Sequence, residues 1–214
     1  MQQQPLPYPL LKSITDKIVS LLSLLVLFPI FILIVIGMAV SMLLRPADRG
    51  SLLYSEPRIS QGRVFNLLKF RVLRQDIIAQ MPPDDKHARL YEADSSNLTW
   101  AGRSFLKKWY FDELPQLFNI LKGDMSLVGP RPWPIPLVKH QLNRGIVYRN
   151  LILAGWTGPS QLQKGNPTPE DSLKLDLEYL NRCRTWSNWR LWKYDMKVLS
   201  QTIKLIMRGE GLAY

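Results

Sequence analysis

Asp112 and Glu113 are the residues of this sequence best suited to covalent chemistry: two adjacent carboxylates directly ahead of Leu114-Pro115. An apolar pattern follows at Leu117, Phe118 and Leu121, and Gly123 after Lys122 supplies a stop. The spacing therefore predicts a short helix that begins at the two acids. Pro115 suits the first turn of such a helix, where its missing N–H costs nothing. Free N–H groups and the macrodipole at that end would stabilise the carboxylates. Ordinary N-terminal capping explains the same pattern, and from these residues alone it is the plainer reading.

Groups able to hold an anion lie in two further segments. Residues 62–73 (GRVFNLLKFRVL) are rich in β-branched and aromatic side chains and read as a strand or short extended segment. If extended, Lys69 and Arg71 share one face, because side chains alternate with period two. Two cations side by side suit a diphosphate; a solvated basic edge is the bland alternative. In Gly129-Pro130-Arg131-Pro132, prolines fix the backbone on both sides of one arginine. That is a simple way to aim a guanidinium at a phosphate or a base.

Composition narrows the partners. With 28 Lys+Arg against 17 Asp+Glu, the net charge of +11 calls for nucleic acid, anionic lipid headgroups or phosphorylated substrates. The cations are scattered rather than drawn into one stripe with stacking aromatics, so no nucleic-acid partner is expected. Cys183 is the only cysteine, which excludes an intramolecular disulfide and fits a reducing, cytoplasm-facing domain. His87 and His140 are far apart, so any metal is expected to be a hard cation held by carboxylates and phosphate oxygens.

These residues need elements to position them, and the clearest is apolar. Residues 18–44 carry no charge. As a helix the roughly 27-residue run would reach about 40 Å, more than the ~30 Å of a hydrocarbon core. It is too long for a signal peptide and no small-residue cleavage pattern follows it. Pro29 lies inside, where a kink is expected. Lys12 and Lys17 precede the run and Arg45 and Arg49 follow it, so cation placement favours neither orientation. On the residues alone, a re-entrant hairpin and a kinked spanning helix weigh equally.

Further on, residues 75–98 read as a surface loop or weak helix, and Gly155-Trp156-Thr157-Gly158-Pro159 as a turn. Thr168-Pro169-Glu170-Asp171 is a helix start. On the helix it opens, Leu173, Leu177 and Leu180 line one face and leave Asp176 and Tyr179 on another. A last helix is expected over 186–207, with Trp189, Trp192, Met196, Leu199, Ile203 and Ile206 at helical spacing among Arg190, Lys193, Lys197 and Lys204. Tryptophans mixed with cations suit a headgroup boundary; core packing of an ordinary helix fits the pattern as well.

In this order the segments resemble one family, the bacterial sugar transferases, and within it the small monotopic phosphoglycosyl transferases. The most specific part is Asp112-Glu113-Leu114-Pro115-Gln116-Leu117 followed by residues 122–132, KGDMSLVGPRP. Lys69-Phe70-Arg71 after Gly62 and Phe65 matches a second block, Gly155, Thr157, Gly158 and Gln161 a third, and Asp176 with Tyr179 a fourth. The resemblance implies a mixed, mainly α fold with a little β. After an N-terminal segment (1–17) comes a re-entrant helix-break-helix in the membrane (18–44). A compact, membrane-associated catalytic domain with amphipathic interface helices (45–214) then sits on the cytoplasmic face of the bacterial inner membrane.

The resemblance also implies a reaction. The Asp112 carboxylate attacks the β-phosphate of a nucleoside-diphosphate sugar, usually a UDP-sugar, and polyprenol phosphate takes the phosphosugar from the enzyme. This would be the first membrane step of exopolysaccharide, lipopolysaccharide or related glycoconjugate synthesis. Asp112 and Glu113 are then the catalytic pair and the Mg²⁺ ligands, with Lys69, Arg71, Pro130, Arg131, Pro132 and Asp176 binding substrate. Anionic lipids are further partners, and a homo-oligomer is compatible with the pattern. Four departures stand against it: Phe28 before Pro29, Lys107-Lys108-Trp109-Tyr110-Phe111 before the acidic pair, Val72-Leu73 after Arg71, and Lys164-Gly165 after the third block. They motivate one alternative, a non-catalytic membrane scaffold of the same descent.

Overall fold

The uncharged run folds as part of a longer helix in the structure, a computed structural model that describes residues 4–82, 88–163 and 168–208. Helix α1 (Leu10–Leu44) has 35 residues and passes through Pro29 as one element. It begins well before Ile18 because charge does not end a helix when the charged groups find partners. Lys12 Nζ donates to Val128 O at 2.9 Å and pairs with Asp195 Oδ2 at 2.5 Å, while Asp16 accepts from the Tyr8 hydroxyl. Among the described residues α1 is the one helix long and apolar enough to cross a membrane. Much of its apolar surface has no protein cover: Val26, Phe28, Leu33, Leu43 and Leu44 are all exposed. An apolar surface of that extent marks contact with lipid or another partner.

After α1 come β1 (Leu53–Ser60), β2 (Arg63–Phe70), α2 (Gln75–Gln80), α3 (Ala88–Glu92) and α4 (Gln116–Lys122). Next are β3 (Ser126–Val128), β4 (Trp133–Pro134), α5 (Ile135–Asn143), α6 (Tyr148–Leu151) and β5 (Gly155–Thr157). Helices α7 (Pro169–Thr185) and α8 (Asn188–Met207) close the described chain. The fold is mainly helical with little sheet, as the sequence predicts. One sheet has the order β2-β1-β4 and a second pairs β3 with β5. Chain packing defines two units: Met1–Ser20 with Arg58–Phe65 and Ile120–Tyr214, and Leu21–Pro57 with Asn66–Asn119.

The second unit is built on the stripe Leu27, Ile30, Phe31, Ile34, Met38 of α1, spaced to share one helical face. These side chains pack with Phe70, Val72, Leu73, Leu98, Ala101, Leu106 and Leu114. Val72 and Leu73, which stand where the family pattern has other residues, are 5% and 2% exposed and so belong to this core.

In the first unit β3 runs parallel to β5, with Ser126 opposite Gly155 and Val128 opposite Thr157. The pairing extends past β3, since Gly129 N donates to Thr157 O and Gly155 N to Pro130 O, each at 2.9 Å. Side chains are excluded at this crossing. A Cβ on Gly155 would lie 2.1 Å from Gly129 N, and one on Gly158 would lie 2.2 Å from Gly129 O. The third sequence block therefore clamps the start of the Gly129–Pro132 segment by backbone contact.

Helix α7 starts as expected, with Thr168 and Asp171 forming a reciprocal capping box after which Pro169 opens the helix. Its faces do not follow the leucine stripe. Asp176, Tyr179 and Leu180 are buried and Leu177 is 42% exposed. The polar pair faces inward because partners await it: Tyr179 donates to Val128 O at 3.2 Å and to Asp195 Oδ1 at 3.0 Å. Helix α8 buries Leu191, Asp195, Val198 and Thr202, while Trp189, Ile203 and Met207 are exposed. Trp189 stacks on Trp192 at 4.9 Å, and Lys193 Nζ lies 5.1 Å from the Trp189 ring. Lys164-Gly165, one of the departures from the family pattern, lies outside the described residues.

Candidate active site

The acidic pair sits in a 3-10 turn, Phe111–Glu113, rather than in the first turn of α4. The reason is Pro115. It has no N–H to return to the Phe111 carbonyl, so that carbonyl accepts instead from Leu114 N at 3.2 Å, and α4 begins only at Gln116. A seven-residue helix that starts beyond the acids contributes little dipole to them. Tyr110, just before the turn, is left-handed at φ 56° and ψ 23°. A non-glycine residue in that region costs about 1 kcal/mol or more and persists only where its surroundings enforce it.

Asp112 is 1% and Glu113 5% exposed. Asp112 Oδ2 is buried and accepts no hydrogen bond. The Lys107 ammonium lies 3.6 Å from that oxygen and 2.6 Å from Glu92 Oε2. Lys69 Nζ pairs with Glu56 Oε1 at 2.9 Å. Burial, the largest influence, is chiefly responsible for raising the Asp112 carboxyl to about 6; Glu113 and Glu92 add to the rise, and Lys107 and then Lys69 oppose it. Burial works against charge on Lys107 too, yet Asp112 and Glu92 hold its ammonium above the ordinary lysine range. A water-shielded carboxylate with one unoccupied oxygen next to a cation is equipped to attack an electrophile.

The same pair suits a hard cation. Mg²⁺ takes one or two carboxylates and completes its shell from water and substrate phosphate oxygens. The unoccupied Asp112 oxygen and the adjacent Glu113 meet that need. Among the described residues no group of three or more His, Cys, Asp or Glu side chains is placed to hold a metal by itself.

Arg71, expected beside Lys69 on a diphosphate, has other partners. It is 1% exposed, and its guanidinium donates to Ser51 O at 2.6 Å, Leu73 O at 2.8 Å and Asp48 O at 2.5 Å. It ties down the chain that leads into β1. Sequence reasoning missed Lys107, Glu92 and Glu56 as members of this cluster. Lys107 carried a signal, as a cation five residues before Asp112, whereas nothing in the local sequence distinguished the two glutamates.

The remaining expected residues belong to the first unit. Pro130, Arg131 and Pro132 link β3 to β4, and Ile59 of β1 pairs antiparallel with Trp133. Asp176 is 3% exposed and accepts from the Tyr148 hydroxyl at 2.8 Å and the Ser160 hydroxyl at 2.9 Å. Burial raises its pKa, with Arg149, Tyr148 and Ser160 opposing.

Likeness to known proteins bears on what the arrangement does. The family model described as bacterial sugar transferase matches residues 7–209. An uncharacterized sugar transferase of Haemophilus influenzae is 31% identical over 94% of this chain and 42% of its own length. The undecaprenyl-phosphate galactose phosphotransferase of Salmonella typhimurium is 35% identical over 77% of this chain and 35% of its own length. The undecaprenyl-phosphate glucose phosphotransferase of Komagataeibacter xylinus is 34% identical over 90% of this chain and 35% of its own length. The chain thus spans well under half the length of these relatives.

Proposed function

The chain belongs to the bacterial sugar transferase family, and from that premise we propose that it transfers a sugar 1-phosphate from a nucleoside-diphosphate sugar, a UDP-sugar in the first instance, to polyprenol phosphate. The observation that carries the proposal is the buried Asp112 carboxylate with an unoccupied oxygen beside Lys107. In the first step a carboxylate oxygen of Asp112 bonds to the β-phosphorus. The bond from that phosphorus to the oxygen bridging the two phosphates breaks, and the nucleoside monophosphate leaves with the electron pair. In the second step a phosphate oxygen of the polyprenol attacks the aspartyl phosphosugar, which returns the carboxylate and forms a polyprenol diphosphosugar.

Lys107 opposes the charge at the nucleophile, and Lys69 and Arg131 serve the donor phosphates, with Pro130 and Pro132 fixing the Arg131 backbone. Glu113 and Asp112 would hold Mg²⁺, which would offset charge on the donor phosphates. The relatives named as undecaprenyl-phosphate sugar phosphotransferases support polyprenol phosphate as acceptor. The test is direct. Purified protein incubated with a panel of UDP-sugars and Mg²⁺, without acceptor, is expected to gain one phosphosugar on the peptide containing Asp112 and to release one equivalent of UMP. The adduct should be lost when polyprenol phosphate is added, and EDTA should suppress its formation. A folded protein that forms no adduct with any donor supports the scaffold alternative.

The proposal includes a place: the cytoplasmic face of the inner membrane, with α1 dipping into one leaflet and returning, and α8 lying on the headgroups. The dip follows the family resemblance, and cations flank the apolar run at both ends, Lys12 and Lys17 before it and Arg45 and Arg49 after it, as they would with both ends on the cytoplasmic side. Exposed Trp189 and Lys193 support the interfacial α8. In a Cys183→Ser background, single cysteines at Gln4 and Ser55 in intact cells are expected to be equally protected from an impermeant periplasmic reagent. Labelling of one and not the other means that α1 spans the membrane.

A further inference from the structure

Unlike Asp112, Asp176 has both oxygens engaged within the protein, accepting from the Tyr148 and Ser160 hydroxyls. What it does face is Arg149, whose Nη2 lies 3.4 Å from Asp176 Oδ2. Arg149 is itself 4% exposed and its guanidinium is used on every side. Its centre lies 4.1 Å from the Trp133 ring and 4.7 Å from the Tyr148 ring. Nε donates to Gln141 Oε1 at 3.1 Å, and Nη1 donates to the main-chain carbonyl of Arg131.

A buried guanidinium is costly unless its charge and all its N–H directions are met. Asp176 meets the charge and Gln141 takes Nε, while two of the groups around the guanidinium flank Pro132: the carbonyl of Arg131 on one side and the ring of Trp133 on the other. The segment 131–133 is therefore moulded on Arg149, while Asp176 orients both the guanidinium and, through the hydroxyl, the Tyr148 ring that backs it. Ser160 brings in the loop that follows β5, so the third and fourth sequence blocks meet at the Asp176 carboxylate that faces Arg149.

We propose that Arg149 is a positioning residue for Arg131, and that Asp176 acts through Arg149 rather than on substrate. Arg149 fixes the backbone from which the Arg131 side chain departs, and so sets the contact of Arg131 with the donor phosphate. Lysine cannot replace it, because a compact ammonium neither stacks between two rings nor presents donors in a planar fork. This rests on the transferase reading, specifically on Arg131 as a donor-binding residue.

The experiment is a double-mutant cycle on the full chain in lipid nanodiscs, following UMP release with whichever UDP-sugar wild type turns over. Arg149→Lys and Arg131→Ala are each expected to raise the donor KM about tenfold while changing kcat less. The double variant should be no worse than Arg131→Ala alone, within about twofold, because one change acts through the other. Ser160→Ala and Tyr148→Phe each remove one hydrogen bond from Asp176 and disturb the fold less. They should raise the same KM by a smaller factor, and that rise should vanish in the Arg131→Ala background. Multiplicative losses in the double variants, with wild type active, overturn this inference alone. A wild type that turns over no donor overturns it together with the transferase reading.

Discussion

Asp112→Asn is expected to abolish adduct formation and lower turnover by on the order of 10⁴-fold, since an amide oxygen cannot replace the attacking carboxylate. Loss of function should come with a gain of stability. An acid whose folded pKa lies above its unfolded value binds more protons in the folded state, so its ionisation weakens folding as pH rises between the two. For Asp112 the folded value is about 6, against roughly 3.9 for an unfolded aspartate. The penalty is absent below about pH 4, grows through the interval, and is complete above about pH 6, where it amounts to some 2–3 kcal/mol.

The amide variant escapes that penalty. In EDTA at pH 7.5 its thermal midpoint should lie above that of wild type, by roughly 5 °C or more, and at pH 4 the two midpoints should coincide. The measurement separates a nucleophile held at the expense of stability from a carboxylate placed for structure. If Asp112→Asn unfolds at a lower temperature than wild type at pH 7.5, the cations around Asp112 outweigh its burial, and the electrostatic account of the site is wrong.

That tension also explains which parts of the site were legible in the sequence. The Asp112-Glu113 pair, the proline behind it and the arginine between prolines are local features, and their chemistry can be read from residue type and spacing. Local signals likewise found β2, the Thr168 cap of α7 and nearly the whole of α8. Partnerships made across the chain were not legible. Glu92 reaches Lys107 from fifteen residues away, and Glu56 reaches Lys69 from the neighbouring strand.

Burial of polar groups was the other hidden element. Periodicity on α7 favours the leucines, because hydrophobicity is what the pattern measures. The face that turns inward instead carries Asp176 and Tyr179, whose partners Arg149, Ser160, Val128 and Asp195 come from four other places in the chain. The start of α1 was hidden in the same way. Lys12 reads as the flank of an apolar run, and its pairing with Asp195 from the far end of the chain is what the local pattern does not show.

Lys107 is where such a hidden partnership should have its largest kinetic consequence. Its ammonium is the foremost of the influences that hold the Asp112 carboxyl down against burial. Lys107→Met removes that influence and leaves Glu113 and Glu92 in place, so the carboxyl pKa must rise above its present value of about 6. Because the attacking form is the carboxylate, the acid limb of kcat/KM for UMP release should move to higher pH, and turnover at pH 7 should fall by about tenfold to a hundredfold. Part of that loss should be recovered at pH 9, which a variant that merely misfolds would not show. Lys107→Arg keeps the charge within reach of both Asp112 and Glu92, and its acid limb should stay near that of wild type. Lys107→Met with an unshifted acid limb would mean that Asp112 takes its charge balance from Lys69, and that Lys107 serves only to secure Glu92.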